Sequence, residues 1–129
     1  IVFCPSNPIV SLGPILALPG MRAALAASLA PKIVVSPLIG GRALKGPADR
    51  MLTTLGHKPS SLGVARIYAG IADGIVLDHA DADLVAAIEA EGFRTLVTNT
   101  VMHTDADRAQ LARDTLDFAR SLAGAVLTP

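Results

Sequence analysis

The chain has 129 residues, enough for one domain that buries roughly two thirds of the surface its unfolded chain exposes. Hydrophobic residues make up 51% and aromatic residues 3%, so the core must be aliphatic, a balance that favours a parallel sheet covered on both faces. Eleven basic and eleven acidic side chains cancel, which excludes the charge footprint of a protein that binds nucleic acid or an anionic membrane.

The cysteine content and the apolar runs exclude further classes of protein. The chain has one cysteine, Cys4, which excludes an internal disulfide framework and a cysteine metal cluster. A single cysteine also favours a reducing, cytoplasmic setting. Every apolar run is broken by proline, glycine or a charged residue before it reaches membrane-spanning length, so no membrane partner is expected.

The first predicted strand, Ile1 to Cys4, runs directly into a loop that contains Ser6, Asn7, Ser11 and three prolines. In open α/β sheets, loops at the carboxyl ends of strands line the ligand crevice. Short polar side chains and free backbone N–H groups there suit a phosphate. The alternative is an ordinary strand-to-helix connection built from turn-forming residues, since no Walker lysine and no GxGxxG motif accompany the loop.

Helical and strand patterns alternate along the rest of the chain. In chain order they predict a helix at Gly20 to Leu29, a strand at Ile33 to Val35, a helix from Pro47 to Leu55, a helix from Ser60 or Ser61 to Ile71, a strand at Gly74 to Asp78, a helix capped by Asp81 and ended by Gly92, a strand at Thr95 to Thr98, and a helix capped by Thr104 that continues to Leu122. This order predicts an α/β fold with a mostly parallel, doubly wound sheet and helices on both faces. All four strands should then end at the same edge of the sheet.

Further candidate site residues follow the ends of the later strands. Ser36 comes before Gly40 and Gly41, glycines that either let the backbone approach a ligand closely or form a plain turn. Lys45 either neutralises a phosphate or is a solvated surface charge. Asp78 ends the third strand, where a carboxylate can contact Mg²⁺ or a nucleotide base.

Six blocks of sequence occur in order over almost the whole chain: Cys4 to Pro8, Ser11 to Leu16, Pro19 to Arg22, Val35 to Gly41, Leu44 to Pro47, and Val97 to Met102. Together these blocks resemble the 2-phospho-L-lactate transferase family. Enzymes of this family make the deazaflavin redox coenzyme of methanogens and mycobacteria, and the mycobacterial branch is thought to transfer phosphoenolpyruvate instead of phospholactate.

The resemblance implies a Rossmann-like fold and a transferase. The family moves phosphoenolpyruvate or 2-phospho-L-lactate from its guanosine diphosphate-linked form to the terminal ribityl hydroxyl of the deazaflavin Fo, releasing GMP with Mg²⁺ present. The residues expected to contact the nucleotide phosphates here are Ser6, Asn7, Ser11, Ser36, Gly40, Gly41 and Lys45. The catalytic residues and the metal ligands are not identified by the blocks.

Proteins of this family are longer than 129 residues. We therefore expect residues 1–129 to be a single α/β domain that forms the C-terminal portion of a homodimeric nucleotide-binding transferase. The preceding half would carry the metal and Fo sites. The competing hypothesis is a non-catalytic UDP-sugar-binding regulator of the gluconeogenesis-factor type, which shares the fold. The loop of those regulators differs from Pro5-Ser6-Asn7-Pro8.

Overall fold

The computed structural model describes residues 1–126. The strands are β1 (Val2–Phe3), β2 (Ile33–Val35), β3 (Leu38–Ile39), β4 (Arg42–Ala43), β5 (Gly74–Asp78) and β6 (Arg94–Thr98). The helices are α1 (Gly13–Leu16), α2 (Met21–Ala27), α3 (Ala48–Thr54), α4 (Ser61–Ile67), α5 (Val85–Ala90) and α6 (Asp105–Val126), with a 3₁₀ helix at His79–Leu84. No helix within residues 1–126 is both long enough and apolar enough to cross a bilayer.

Four strands form one parallel sheet in the order β1-β2-β5-β6. Ile33 pairs with Val2 on one side and with Gly74 on the other, and Gly74 pairs in turn with Arg94. Because all three pairings are parallel, the carboxyl ends of the four strands meet at one edge. The predicted α/β fold with a mostly parallel sheet is confirmed.

Successive side chains of each strand point to opposite faces of the sheet, so the core is divided between the two faces. Val34, Ile75 and Leu77 pack with residues of α1 to α5 on one face. Ile33 and Val76 point to the opposite face, where α6 covers them. Helices therefore lie on both faces, as predicted.

The helix starts follow the sequence signals at two positions and depart from them at a third. Ser60 accepts a hydrogen bond from the Gly63 amide at 3.1 Å, and Thr104 accepts one from the Asp107 amide at 3.2 Å, so both predicted caps are confirmed. The predicted cap at Asp81 is wrong. Asp78 caps the 3₁₀ helix through the Ala80 amide at 3.1 Å, whereas the Asp81 carboxylate points into the protein interior.

A second sheet, the antiparallel hairpin of β3 and β4, was not predicted. Leu38 pairs with Ala43 and Ile39 pairs with Arg42, which leaves Gly40 and Gly41 as the two turn residues. The hairpin follows β2 directly and stands at the carboxyl edge of the parallel sheet. It therefore forms one wall of the crevice at that edge.

Candidate functional site

A cavity of about 280 Å³ lies at the carboxyl edge of the parallel sheet, and we call it the polar cavity. The loop after β1, the end of β2, the hairpin and the loop after β6 all contribute to its walls. The lining residues are Pro5, Asn7, Ser36, Pro37, Ile39, Ala43, Leu44, Lys45, Ala48, Thr100 and Met102. Residues far apart in the chain thus meet where the parallel topology brings the strand ends together.

Asn7 organises the loop after β1. Its side-chain oxygen accepts hydrogen bonds from the amides of Ile9 at 2.9 Å and Val10 at 3.3 Å, as in an Asx turn. Its amide nitrogen lies 3.5 Å from the Met51 sulfur, a weak acceptor, and so keeps the capacity to donate to a ligand. Ser6 and Ser11 belong to the same loop but do not line the polar cavity.

Ser36 begins a buried chain of hydrogen bonds that runs behind the polar cavity. The Ser36 and Ser61 hydroxyl oxygens are 2.8 Å apart, and Ser61 donates to the Asp81 carboxylate at 3.0 Å. Asp81 also accepts from the Gly40 amide at 3.1 Å, which fastens the hairpin turn to the 3₁₀ helix. Burial raises the pKa of Asp81, although its hydrogen bonds from Ser61 and Gly40 favour the charged form. Ser36 therefore lines the polar cavity, but its hydroxyl is already hydrogen-bonded inside the protein.

Gly40 and Gly41 form the hairpin turn, with φ angles of 56° and 79°. Two consecutive residues with positive φ are the signature of a two-residue hairpin turn, and glycine adopts them without strain. Neither glycine lines the polar cavity, although their neighbours Ile39 and Ala43 do. Of the two interpretations open from the sequence, this geometry supports the turn.

Gly41→Ala is expected to lower the melting temperature of the intact protein more than Gly40→Ala. Both substitutions force a side chain into positive φ, a strain of about 1–3 kcal/mol. At Gly41 the added Cβ would also lie 3.0 Å from the Pro59 carbonyl oxygen, while at Gly40 it would meet nothing within 4 Å. Thermal unfolding of the two variants checks the order, and equal melting temperatures would contradict it.

Lys45 supplies the positive charge of the polar cavity. Its side chain is exposed, and within residues 1–126 it has no ion pair or hydrogen bond. No Asp or Glu occurs among the described residues that line this cavity. An anion at this position would therefore meet an ammonium group that no carboxylate neutralises. The arrangement favours a phosphate or carboxylate ligand.

Asp78 connects the ends of β5 and β6 and does not line the polar cavity. One carboxylate oxygen accepts from the amide and the hydroxyl of Thr100 at 2.9 and 3.2 Å, and the other accepts from the Ala80 amide. Burial favours the neutral acid, but the bonds from Thr100 and Ala80 outweigh it and hold the pKa of Asp78 below its usual value. Asp78 thus positions Thr100, which is a lining residue.

The donor set for Mg²⁺ is not assembled in the described part of the chain. No group of three or more His, Cys, Asp or Glu side chains lies close enough within residues 1–126 to hold a metal ion. Both oxygens of Asp78 already accept hydrogen bonds from the protein. Residues 1–126 therefore do not fit a complete magnesium site, which needs several oxygen ligands in octahedral geometry.

The lowered pKa of Asp78 predicts an acid-dependent loss of stability. The unfolded chain protonates this carboxyl near pH 3.8, while the folded protein keeps it charged to lower pH. The charged Asp78 carboxylate therefore stabilises the folded protein above that pH. This stabilisation is lost as the pH falls through the pKa that Asp78 has in the folded protein. Urea unfolding should show that Asp78→Asn costs more stability at pH 5 than at pH 3. An equal cost at both values would contradict the assignment.

Comparisons with known proteins give a consistent result. The family model described as 2-phospho-L-lactate transferase CofD matches residues 1–117. The chain is 41% identical over 124 residues to a phosphoenolpyruvate transferase of Streptomyces griseus, covering 95% of this chain and 39% of that protein. It is 37% identical over 122 residues to a 2-phospho-L-lactate transferase of Methanocaldococcus jannaschii, covering 95% of this chain and 38% of that protein. The chain thus spans about two fifths of the length of these relatives.

Proposed function

Because the chain belongs to the 2-phospho-L-lactate transferase family, we propose that the intact protein is a transferase of deazaflavin coenzyme biosynthesis. It moves phosphoenolpyruvate or 2-phospho-L-lactate from a guanosine diphosphate-linked donor to the terminal ribityl hydroxyl of Fo. The observation that carries the proposal is the match of the family model to residues 1–117, which include every residue that lines the polar cavity.

The polar cavity is proposed as the site of the donor diphosphate. Lys45 brings an unpaired positive charge, and the Asn7 amide nitrogen brings a donor whose present partner is weak. Hydrogen bonds between charged groups and phosphate oxygens are about twice as strong as neutral ones. These two side chains suit a ligand whose negative charge is concentrated on two phosphates.

The reaction conserves charge and atoms without an oxidant or reductant. The ribityl hydroxyl oxygen of Fo forms a bond to the phosphorus that carries the three-carbon acid. The anhydride bond between that phosphorus and the GMP phosphate breaks, GMP leaves with the bonding pair, and the hydroxyl proton passes to solvent. Positioning and charge neutralisation dominate catalysis of this kind. Lys45 neutralises charge on the diphosphate, and Asn7 holds it in place.

Three further properties belong to the proposal. The expected use of Mg²⁺ is tested by adding a chelator to the assay, and we assign the metal no step because residues 1–126 do not assemble its ligands. A cytoplasmic location is also proposed, because a single cysteine favours a reducing setting. The expected homodimer is consistent with large apolar side chains that remain exposed, such as Leu18 at 54% and Leu29 at 101%.

A transfer assay on the intact protein tests the function. The protein is incubated with Fo and either GDP-linked donor. The deazaflavin product is identified and quantified by mass spectrometry, and GMP is quantified by chromatography. Equal amounts of product and GMP are expected, and the donor that turns over decides between the two three-carbon acids. Binding of a UDP-sugar with no transfer from either donor would instead support the regulator.

A further inference from the structure

The hairpin of β3 and β4, together with the two residues after it, forms one wall of the polar cavity. The lining residues that it contributes are Ile39, Ala43, Leu44 and Lys45. A two-stranded hairpin is at best marginally stable alone, so the position of this wall depends on contacts with the rest of the domain. At the base of the hairpin, Leu38 packs in the core and its amide donates to the Ser36 hydroxyl oxygen at 3.2 Å.

The turn of the hairpin is fastened by Asp81. The Gly40 amide donates to the Asp81 carboxylate at 3.1 Å. Within residues 1–126, no other hydrogen bond joins the Gly40-Gly41 turn to a residue outside the hairpin. Lys45 lies just beyond β4 and has no ion pair or hydrogen bond of its own in the same part of the chain. The reach of its ammonium group therefore depends on where the hairpin stands.

Asp81 is a buried carboxylate, and a buried charge is costly unless hydrogen bonds compensate it. Asp81 is 3% exposed and does not line the polar cavity, so it does not contact a ligand there. The 3₁₀ helix that carries it is capped by Asp78. Its hydrogen bonds come from the Gly40 amide and from the Ser61 hydroxyl, which is buried as well. Asp81 therefore acts on the polar cavity indirectly, through the part of the wall that it holds.

From these contacts we infer that Asp81 is a positioning residue for the donor, because it holds the hairpin where Lys45 meets the diphosphate. The inference rests on the proposed function. A displacement of about 1 Å in a positioning group can reduce the rate of an enzyme about a hundredfold. Without the bond to Asp81, the hairpin turn is free to move away from the rest of the domain, and Lys45 moves with it. The alternative is a purely structural role, in which Asp81 stabilises the fold and leaves donor binding unchanged.

Three variants separate positioning from stability. Asp81→Ala removes the bond to the Gly40 amide and should weaken GDP binding about tenfold. Ser61→Ala also removes a buried hydrogen bond of Asp81 but leaves the bond to Gly40, so it should lower stability and keep GDP affinity within about twofold of the parent. Asp83→Ala removes an exposed carboxylate from the same helix and should bind GDP like the parent.

Asp81→Asn should restore donor binding, because asparagine can keep the hairpin turn in place. Its side-chain oxygen can accept from the Gly40 amide while its amide nitrogen donates to the Ser61 oxygen. Ser61 then donates to Ser36, 2.8 Å away, and Ser36 donates to the Leu38 carbonyl at 3.2 Å. The chain of hydrogen bonds thus reverses its direction, and GDP affinity should stay within about threefold of the parent.

A double-mutant cycle tests whether Asp81 acts through Lys45. Isothermal titration calorimetry with GDP is carried out on the intact protein, at a temperature at which circular dichroism shows each variant to be folded. In the Lys45→Met background, Asp81→Ala should cost no more than about a further twofold, because the group that Asp81 positions is gone. A full tenfold loss in both backgrounds would overturn the inference, as would equal losses in Asp81→Ala and Ser61→Ala.

Hydrogen exchange supplies a measurement that does not require Asp81→Ala to fold. Coupling between two events is reciprocal, so if the fastened turn favours GDP binding, GDP must favour the fastened turn. Mass spectrometry of the peptide that contains Gly40 should show slower exchange with saturating GDP in the parent and no such slowing in Lys45→Met. Exchange that GDP slows equally in both proteins, or in neither, would overturn the inference.

The inference and the proposed function can fail separately. If the parent binds GDP and transfers the three-carbon acid while Asp81→Ala matches it in GDP affinity, the inference alone is wrong. If the parent binds no GDP and gives no product, the proposed function is wrong as well. The result expected is GDP binding that is lost in part by Asp81→Ala and recovered by Asp81→Asn.

Discussion

Lys45→Met is expected to weaken GDP binding by the intact protein by about 10- to 100-fold. Hydrogen bonds to charged groups contribute about 1.5–3 kcal/mol, and every 1.4 kcal/mol corresponds to a factor of ten in affinity. Lys45 has no ion pair to lose within residues 1–126, so its removal should leave folding intact. Isothermal titration calorimetry with GDP measures the effect.

A matched lysine separates a local contact from a general change in charge. Lys58 is also exposed and does not line the polar cavity. Lys58→Met removes the same charge and should bind GDP like the parent. Lys45→Arg should recover part of the affinity, because it restores the charge with a different geometry. Equal losses in Lys45→Met and Lys58→Met would contradict a specific role for Lys45.

Asp81→Ala is expected to lower the free energy of unfolding by about 2–4 kcal/mol, because it leaves two partly or fully buried donors unpaired. The donors are the Gly40 amide, at 3.1 Å, and the Ser61 hydroxyl, at 3.0 Å. Asp81 is 3% exposed, so water cannot readily take the place of its carboxylate. Urea unfolding of the intact protein measures the change.

The neighbouring Asp83 is the control for Asp81. It is exposed on the same 3₁₀ helix, so Asp83→Ala should change stability by no more than about 0.5 kcal/mol. Combining Asp81→Ala with Ser61→Ala should cost less than the sum of the single changes, because the two side chains share one hydrogen bond. Strict additivity, or a mild effect of Asp81→Ala alone, would contradict the proposed hydrogen-bond chain.

The elements with a strong period were predictable from the sequence. The stripe of Leu111, Thr115, Phe118 and Leu122 predicted α6, and the stripe beginning at Val64 predicted α4. The β3–β4 hairpin was missed because each of its strands has two residues, too few to show a period. Two adjacent glycines between two short runs are a hairpin signal, and Gly40-Gly41 supplied it.

The site was predictable in part for a different physical reason. Parallel strands bring their carboxyl ends together, so the meeting of Asn7 and Ser36 in one cavity follows from topology, whereas Lys45 follows the β3–β4 hairpin, which was not predicted. The direction of each side chain does not follow from topology. Ser36 turns inward because it forms a hydrogen bond with Ser61. Ser61 lies 25 residues further along the chain, so no local sequence pattern could predict this contact.

A crystal structure of the intact protein with GDP is the most direct test of the polar cavity as the diphosphate site. We expect phosphate oxygens within hydrogen-bond distance of the Lys45 ammonium and the Asn7 amide nitrogen, at the carboxyl edge of the sheet. A diphosphate bound elsewhere, with Lys45 and Asn7 left in contact with solvent, would contradict it.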